Sequence, residues 1–273
     1  MQINLLGPFE LFAETRPVSL TAPKIQQTLA VLASSVGYTV PTESIMTELW
    51  PRRRPRSAGT TVQTYIYVIR SALRDDAEGD GGAGVSITTE PGGYRLSLRR
   101  EQIDAERFGD LVATAGRMLE EHHAREHGHD DLGPVRDAAK LLGEARELWR
   151  GRPFTGIATG PVLTPIAVRL EQLWVRSRKL LIRTELLLGR HRELVSEVKQ
   201  LTAAFPTDEM FHAQLMVVLY RCGRRGEALQ VYRRFRDTLR TELALRPSPR
   251  IEQLRKVISV DEHSAFHLPP VLP

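Results

Sequence analysis

Residues 57–74 hold the arrangement with the clearest chemical meaning. Val62, Ile66, Ile69 and Leu73 are spaced 4, 3 and 4 apart, which makes one apolar stripe on a helix running from about Ser57 to Arg74. The opposite face then carries Thr60, Thr64, Tyr67, Val68 and Ser71, with Gln63, Arg70 and Arg74 on one flank. Short hydroxyl and methyl groups at base edges, with cations toward phosphates, suit a helix lying in the major groove of DNA. Val68 is expected to point outward, where it would meet a thymine methyl. An ordinary amphipathic helix with a solvated face has the same pattern, so spacing alone leaves both readings open. Thr60 and Thr61 fall in the first turn, where hydroxyls and free backbone N–H groups suit a phosphate or simple capping. Lys24, near the start of an earlier helix, has the same two readings.

A second constellation is cationic. From Ile45 to Arg74 the charged residues are Arg52, Arg53, Arg54, Arg56, Arg70 and Arg74 against Glu48 alone, although the whole chain of 273 residues carries only +5. Arg52, Arg53, Arg54 and Arg56 sit in the loop PRRRPR and are expected to hold DNA phosphate or an acidic protein surface, unless they are merely solvated. Further on, Gly93, Tyr94 and Arg95 follow a turn and are candidates for entering a minor groove, with a core position as the other reading of Tyr94.

Other chemistry is disfavoured. His122, His123, His127 and His129 lack the thiolates or paired-helix spacing of a zinc site, so no metal is expected. There is no phosphate-binding glycine loop, nucleophile elbow or metalloprotease pair, so neither an enzyme nor a cofactor is expected. Cys222 is the one cysteine and reads as a small buried residue in a reducing compartment. The N-terminus lacks the charged and apolar regions of a signal peptide, and no stretch has the length of a membrane span. A cytoplasmic, nucleoid-associated protein without a membrane partner is expected.

The elements that must position these groups follow from periodicity. Residues 1–20 alternate in short apolar runs around Gly7-Pro8 and Arg16-Pro17, which predicts a small antiparallel sheet. A helix capped by Thr21, with Pro23 in its first turn, buries Ile25, Thr28, Leu29 and Leu32 and ends near 34–37. A second helix from Thr42 buries Ile45, Met46 and Leu49 and stops at Pro51. After the third helix, 75–84 is acidic, glycine-rich and loop-like, and Val85–Thr89 and Tyr94–Leu98 flank Pro91-Gly92-Gly93 as a hairpin. Sheet, three helices and hairpin in about 100 residues make a helix-turn-helix with a wing.

From Asp104 the apolar period is 3.6 almost throughout. Helices are expected at about 104–120, 134–150, 164–189, 191–204, 208–222, 225–243 and 248–258, with a loop at 121–134. A repeat of period 34 maps Leu181 onto Leu215, Ile182 onto Met216, Gly189-Arg190 onto Gly223-Arg224, Val198 onto Tyr232 and Leu201 onto Phe235. That period, with glycine at the turn, marks tetratricopeptide-like helix pairs.

The ordered segments NLLGPFE, APKIQQTLAVLA, ELW, TTVQTYIYVIRSAL and PGGYRL, then IDAERF, ARELWRG, LLLGRHRELVSEV, HAQLMVVLYRCGRRGEALQVYRRFRDTLRTEL and PSPRIEQL, resemble the Streptomyces antibiotic regulatory proteins over nearly the whole chain. The resemblance implies an α+β OmpR-like winged helix-turn-helix at 1–100, an all-α tetratricopeptide-like bacterial transcriptional activation domain at 104–260, and a proline-rich tail at 261–273. It implies the small form of the family, which lacks the ATPase domain of larger relatives. It also implies binding of double-stranded promoter DNA at direct repeats near a −35 element, as adjacent protomers, with contacts to the RNA polymerase holoenzyme and secondary-metabolite genes as targets.

The sequence departs from the family where arginines are usual at the positions of Val68 and Ser71, and where a basic residue is usual at the position of Glu90. These departures keep a second reading in view, a peptide-binding adaptor whose winged helix no longer binds DNA.

Overall fold

A computed structural model describes residues 1–13, 15–75, 85–124 and 131–260. The chain opens with strands β1 (Gln2–Asn4), β2 (Glu10–Ala13) and β3 (Arg16–Pro17), paired antiparallel in that order. Then come α1 (Pro23–Ala33), β4 (Thr39–Pro41), α2 (Thr42–Leu49), α3 (Ala58–Asp75), β5 (Ser86–Glu90) and β6 (Gly93–Ser97). The helical half contains α4 (Asp104–Ala124), α5 (Gly133–Leu148), α6 (Leu163–Leu187), α7 (His191–Ala204), α8 (Glu209–Arg221), α9 (Arg225–Leu243) and α10 (Pro249–Val260). The winged helix followed by a helical domain is therefore present, with helix bounds close to those expected.

Three details differ from the sequence reading. The α1 N-cap is Ala22 and no side chain caps it, so Thr21 does not have the expected role. α4 runs on to Ala124, past the expected helix end at 120. β4 was not expected, and it makes the wing sheet three-stranded in the order β4-β6-β5. Three residues are too few to show an alternating pattern, and Pro41 disguises the strand further.

The described residues divide into two compact units, and the division does not fall at 100–104. The first comprises 1–113 together with 144–175, and the second the remaining described residues. Backbone bonds explain why 144–175 joins the winged helix. Arg150 N–H donates to the Leu6 carbonyl, Phe154 to Leu5 and Thr155 to Gly7, each at 2.9 Å, and Phe9 donates back to Thr155. Phe154 holds a φ of 60° while 1% exposed. A left-handed conformation costs such a residue about 1–2 kcal/mol, which its burial and its bond to Leu5 offset.

Two buried carboxylates reinforce this packing. Glu48, 1% exposed on α2, accepts from the backbone N–H of Gly160 (2.6 Å), Val162 (2.7 Å) and Leu163 (3.1 Å), and from Gln27 Nε2 (3.0 Å). A helix of the winged domain thus supplies the N-terminal acceptor for α6, whose first N–H groups have no partner within their own helix. Asp104 accepts from Leu5 N–H (2.6 Å), Leu6 N–H (2.9 Å) and the Arg150 guanidinium (3.1 Å).

Burial holds the Asp104 carboxyl above its ordinary range, against the opposing pull of the Leu5 and Leu6 N–H groups and Arg150. A group held higher in the folded chain than in the unfolded one binds its proton more tightly when folded, so protonation favours the fold. That contribution is complete below the unfolded pKa of about 3.9 and disappears as pH rises through the folded value. Relative to Asp104→Asn, the native chain is therefore expected to gain thermal stability as pH falls from neutral toward about 4. Parallel curves of Tm against pH for the two proteins would contradict this.

In the second unit the 34-residue repeat is visible in the backbone. Gly189 donates to Leu186 and Arg190 to Glu185; 34 residues later Gly223 donates to Tyr220 and Arg224 to Leu219. Both glycines have positive φ, 77° and 75°, the conformation that ends a helix most easily with glycine. Val198, Leu201, Tyr232 and Phe235 are all buried, as the repeat requires.

Candidate nucleic-acid interface

The core stripe of α3 is complete: Val62, Ile66, Ile69 and Leu73 are at most 2% exposed. Burying that stripe turns the other face outward. Thr60, Gln63, Thr64, Tyr67 and Val68 are exposed, and Thr61 and Ser71 are half-buried. Tyr67 is 66% exposed and Val68 36%, side by side on this face. Two hydroxyls bond back along the helix, Thr61 Oγ1 to the Ser57 carbonyl (2.9 Å) and Thr64 Oγ1 to the Thr60 carbonyl (3.1 Å). Each hydroxyl keeps lone pairs for a further partner. Arg74 lies in the last turn of α3, and its side chain falls outside the described residues.

Arg70 is engaged within the fold. Its Nε donates to the Ile87 carbonyl (2.8 Å) and its Nη2 to Thr89 Oγ1 (2.9 Å), so the guanidinium joins α3 to β5 of the wing. Lys24 is also engaged within the fold. Its Nζ donates to the Leu49 carbonyl (3.0 Å) and lies 4.3 Å from the Trp50 ring centre, at the C-terminal end of α2 where a cation is favoured.

The wing separates the three residues proposed for a minor groove. Its turn is Pro91-Gly92, with Gly92 at φ 77°. Gly93 is buried in the β4–β6 pairing, and a Cβ there would lie 2.2 Å from the Val40 carbonyl oxygen. Tyr94 is 7% exposed and belongs to the core. Gly93 is a correction, whereas Tyr94 takes the core position that was its other reading: alternation along β6 turns Tyr94 and Leu96 inward and leaves Arg95 between them outward. Arg95 is exposed, in register with exposed Thr39 on β4 and exposed Thr88 on β5.

In the 51–57 loop, Arg52, Arg53, Arg54 and Arg56 are all exposed. Arg54 donates to both carboxylate oxygens of Glu43, one at 2.9 Å. This bond, more than simple charge attraction, holds the Glu43 carboxyl below and the Arg54 guanidinium above their ordinary ranges. Arg54 therefore tethers the loop to the first turn of α2, while Arg52, Arg53 and Arg56 point their charges at solvent.

Sequence reasoning missed Tyr38, an aromatic 72% exposed beside β4, and Glu48, which it counted only as the one negative charge of a basic stretch. No sequence signal distinguished either. His122 and His123 end α4, and His127 and His129 lie outside the described residues. Among the described residues no helix is long and apolar enough to cross a membrane.

Comparison with known proteins agrees with this architecture. Residues 15–96 match the family model described as transcriptional regulatory protein, C terminal, and residues 103–259 match the bacterial transcriptional activator domain. The compact units divide the chain differently, with 144–175 in the first. The chain is 34% identical over 260 residues to the regulatory protein DnrI of Streptomyces peucetius, covering 94% of this chain and 92% of that one. It is 32% identical over 259 residues to the regulatory protein AfsR of Streptomyces coelicolor, spanning 94% of this chain and 24% of AfsR. The solved structure of Mycobacterium tuberculosis EmbR in complex with a low-affinity phosphopeptide superposes with a TM-score of 0.83 at 25% identity, over 94% of this chain and 64% of EmbR. With both family models in order and a relative matched over almost its whole length, the chain belongs to the Streptomyces antibiotic regulatory protein family of transcriptional activators.

Proposed function

We propose that the protein binds direct repeats near a promoter −35 element as adjacent protomers, reads base edges with α3, and recruits the RNA polymerase holoenzyme to secondary-metabolite biosynthesis genes. The observation that carries this reading is the outward face of α3. Thr60, Gln63, Thr64, Tyr67 and Val68 are exposed together on a helix whose other face is fully buried. Family membership supports the activator role. Arg52, Arg53 and Arg56 offer polymerase or phosphate an exposed cationic loop, and Arg95 with Thr39 and Thr88 offers the DNA backbone a second, wing-side surface. The working place of such a protein is the cytoplasm, on the nucleoid.

Footprinting on the promoters flanking its own gene tests the reading directly: protected direct repeats are expected, with affinity falling steeply as salt rises. Thr64→Ala and Val68→Ala are expected to change the motif selected from random DNA more than they change general affinity. Each lost base-edge contact should cost about 1–3 kcal/mol at one base pair, with Val68 at the low end because its contact is apolar. Both variants returning the parental motif would remove α3 residues 64 and 68 from base readout. No protection on any promoter, together with retention of protein partners, would favour the adaptor reading instead.

A further inference from the structure

We infer that Arg70 is a positioning residue: it sets the wing against the recognition helix, so that the base contacts of α3 and the backbone contacts of the wing fall at one fixed spacing on the DNA. This rests on the DNA-binding reading above.

Arg70 lies on the flank of α3, half-buried, and reaches across to β5. β5 is the edge strand of the wing sheet, and an edge strand presents carbonyl groups that no neighbouring strand satisfies. Arg70 Nε donates to one of these, the Ile87 carbonyl at 2.8 Å. Its Nη2 donates to Thr89 Oγ1 at 2.9 Å. The two acceptors belong to residues two apart on the same strand. A single bond would fix only a distance, whereas two bonds from a planar fork also fix the direction of the strand relative to the helix. A guanidinium can do this because its N–H donors are rigid and coplanar; a lysine ammonium is a point charge on a flexible stem.

The placement of the two acceptors matters for what is being held. Ile87 is 5% exposed and anchored in the core, in register with Leu96. Thr89 is exposed and stands just before the Glu90–Gly93 pair that closes the hairpin. Arg70 therefore holds the wing both at its rooted part and close to its tip. The outward residues of α3 and outward Arg95 of β6 are kept in one mutual geometry by a side chain that need not touch DNA.

Three variants test this: Arg70→Lys, Arg70→Ala and Thr89→Val. Thr89→Val matters most, because it removes one acceptor without changing any charge. For a positioning role, all three weaken binding to footprinted promoter DNA by about 2- to 10-fold, the equivalent of one ordinary hydrogen bond. Backbone protection on the wing side fades alike in all three, any fall in the salt slope is shared by the uncharged Thr89→Val change, and guanine protection under α3 persists. If instead Arg70→Lys binds as the native protein does and Arg70→Ala lowers the salt slope by roughly one unit, Arg70 grips phosphate and the inference is overturned.

A measurement without DNA separates this inference from the DNA-binding reading. Amide exchange in the free full-length protein is expected to quicken across Ser86–Glu90 in Arg70→Lys and Thr89→Val, with α3 as protected as before. Unchanged exchange in β5 would overturn the positioning role even if the protein binds DNA. Faster exchange in β5 with no DNA binding by the native chain would overturn the reading of the site, and with it the spacing role, while leaving the tether itself established.

Discussion

Glu48→Ala is expected to lower the stability of the protein by about 3–5 kcal/mol, as much as truncating a fully buried core residue. The carboxylate of Glu48 accepts three backbone N–H groups at Gly160, Val162 and Leu163 and the amide of Gln27. Alanine would leave the buried Leu163 N–H and the half-buried Gly160 and Val162 N–H groups without this acceptor, while Gln27 Nε2 keeps its bond to the carbonyl of residue 48 (3.3 Å). Each orphaned donor costs about 1–3 kcal/mol, and partial relaxation keeps the total below their sum. For a chain of this size the midpoint of thermal unfolding should fall by roughly 6–20 °C. Glu48→Gln keeps one acceptor oxygen and should lose less. Glu43→Ala, on the same helix, removes only an exposed partner of Arg54 and should leave the midpoint nearly unchanged. Thermal unfolding of the three variants checks the order. Equal midpoints for Glu48→Ala and the native chain would mean that α6 does not depend on this acceptor.

Gly93→Ala is expected to be nearly as damaging, and it affects the wing. A methyl at this position would stand 2.2 Å from the Val40 carbonyl oxygen, 2.9 Å from the Val40 carbonyl carbon and 3.1 Å from the Pro41 Cα. All three are backbone atoms, so no rotamer change relieves the clash, and β4 must separate from β6. The cost is about 3 kcal/mol, the upper part of the range for overpacking. Gly92→Ala is the informative partner. It meets no atom within 4 Å but sits at φ 77°, so it should cost only about 1 kcal/mol, the strain of a left-handed alanine. Urea unfolding separates the two, and footprinting should show wing-side protection lost in Gly93→Ala. Native stability in Gly93→Ala would show that β4 moves aside freely.

The ease with which each part could be read from the sequence follows the range of the interactions involved. The α3 stripe was legible because Val62, Ile66, Ile69 and Leu73 carry their period within one element, and the outward face followed by subtraction. The helical repeat was legible because Gly189-Arg190 and Gly223-Arg224 return with their apolar neighbours at a fixed offset. Glu48 looked like a surface charge because its donors lie more than a hundred residues along the chain. Residues 150–160 carry no strand pattern, since they pair with the Leu5–Phe9 segment through scattered backbone bonds, so the continuation of the first unit past 143 left no trace in hydropathy. Gly93, Tyr94 and Arg95 all read as wing residues, with a core position open for Tyr94 alone. Only the strand register separates the two that build the sheet from the one that faces outward. Arg70 was placed on the correct helix flank, but its bonds to Ile87 and Thr89 left no trace, because a helical wheel does not show where an adjacent hairpin lies.

The interrupted first unit has a consequence for the order of synthesis. A ribosome adds about 5–20 residues per second, so residues 101–175 follow the first hundred by roughly 4–15 s. Through that interval the winged helix has left the ribosome without Gly160, Val162 and Leu163 to accompany Glu48, and without Phe154 and Thr155 to cover the Leu5–Gly7 turn. DNA-reading competence is thereby expected to mature only once part of the helical half has been made. A chain halted early, by a nonsense mutation or a stalled ribosome, would then be a poor competitor for the operator, and promoters would be occupied chiefly by molecules that also carry the helices needed to act there.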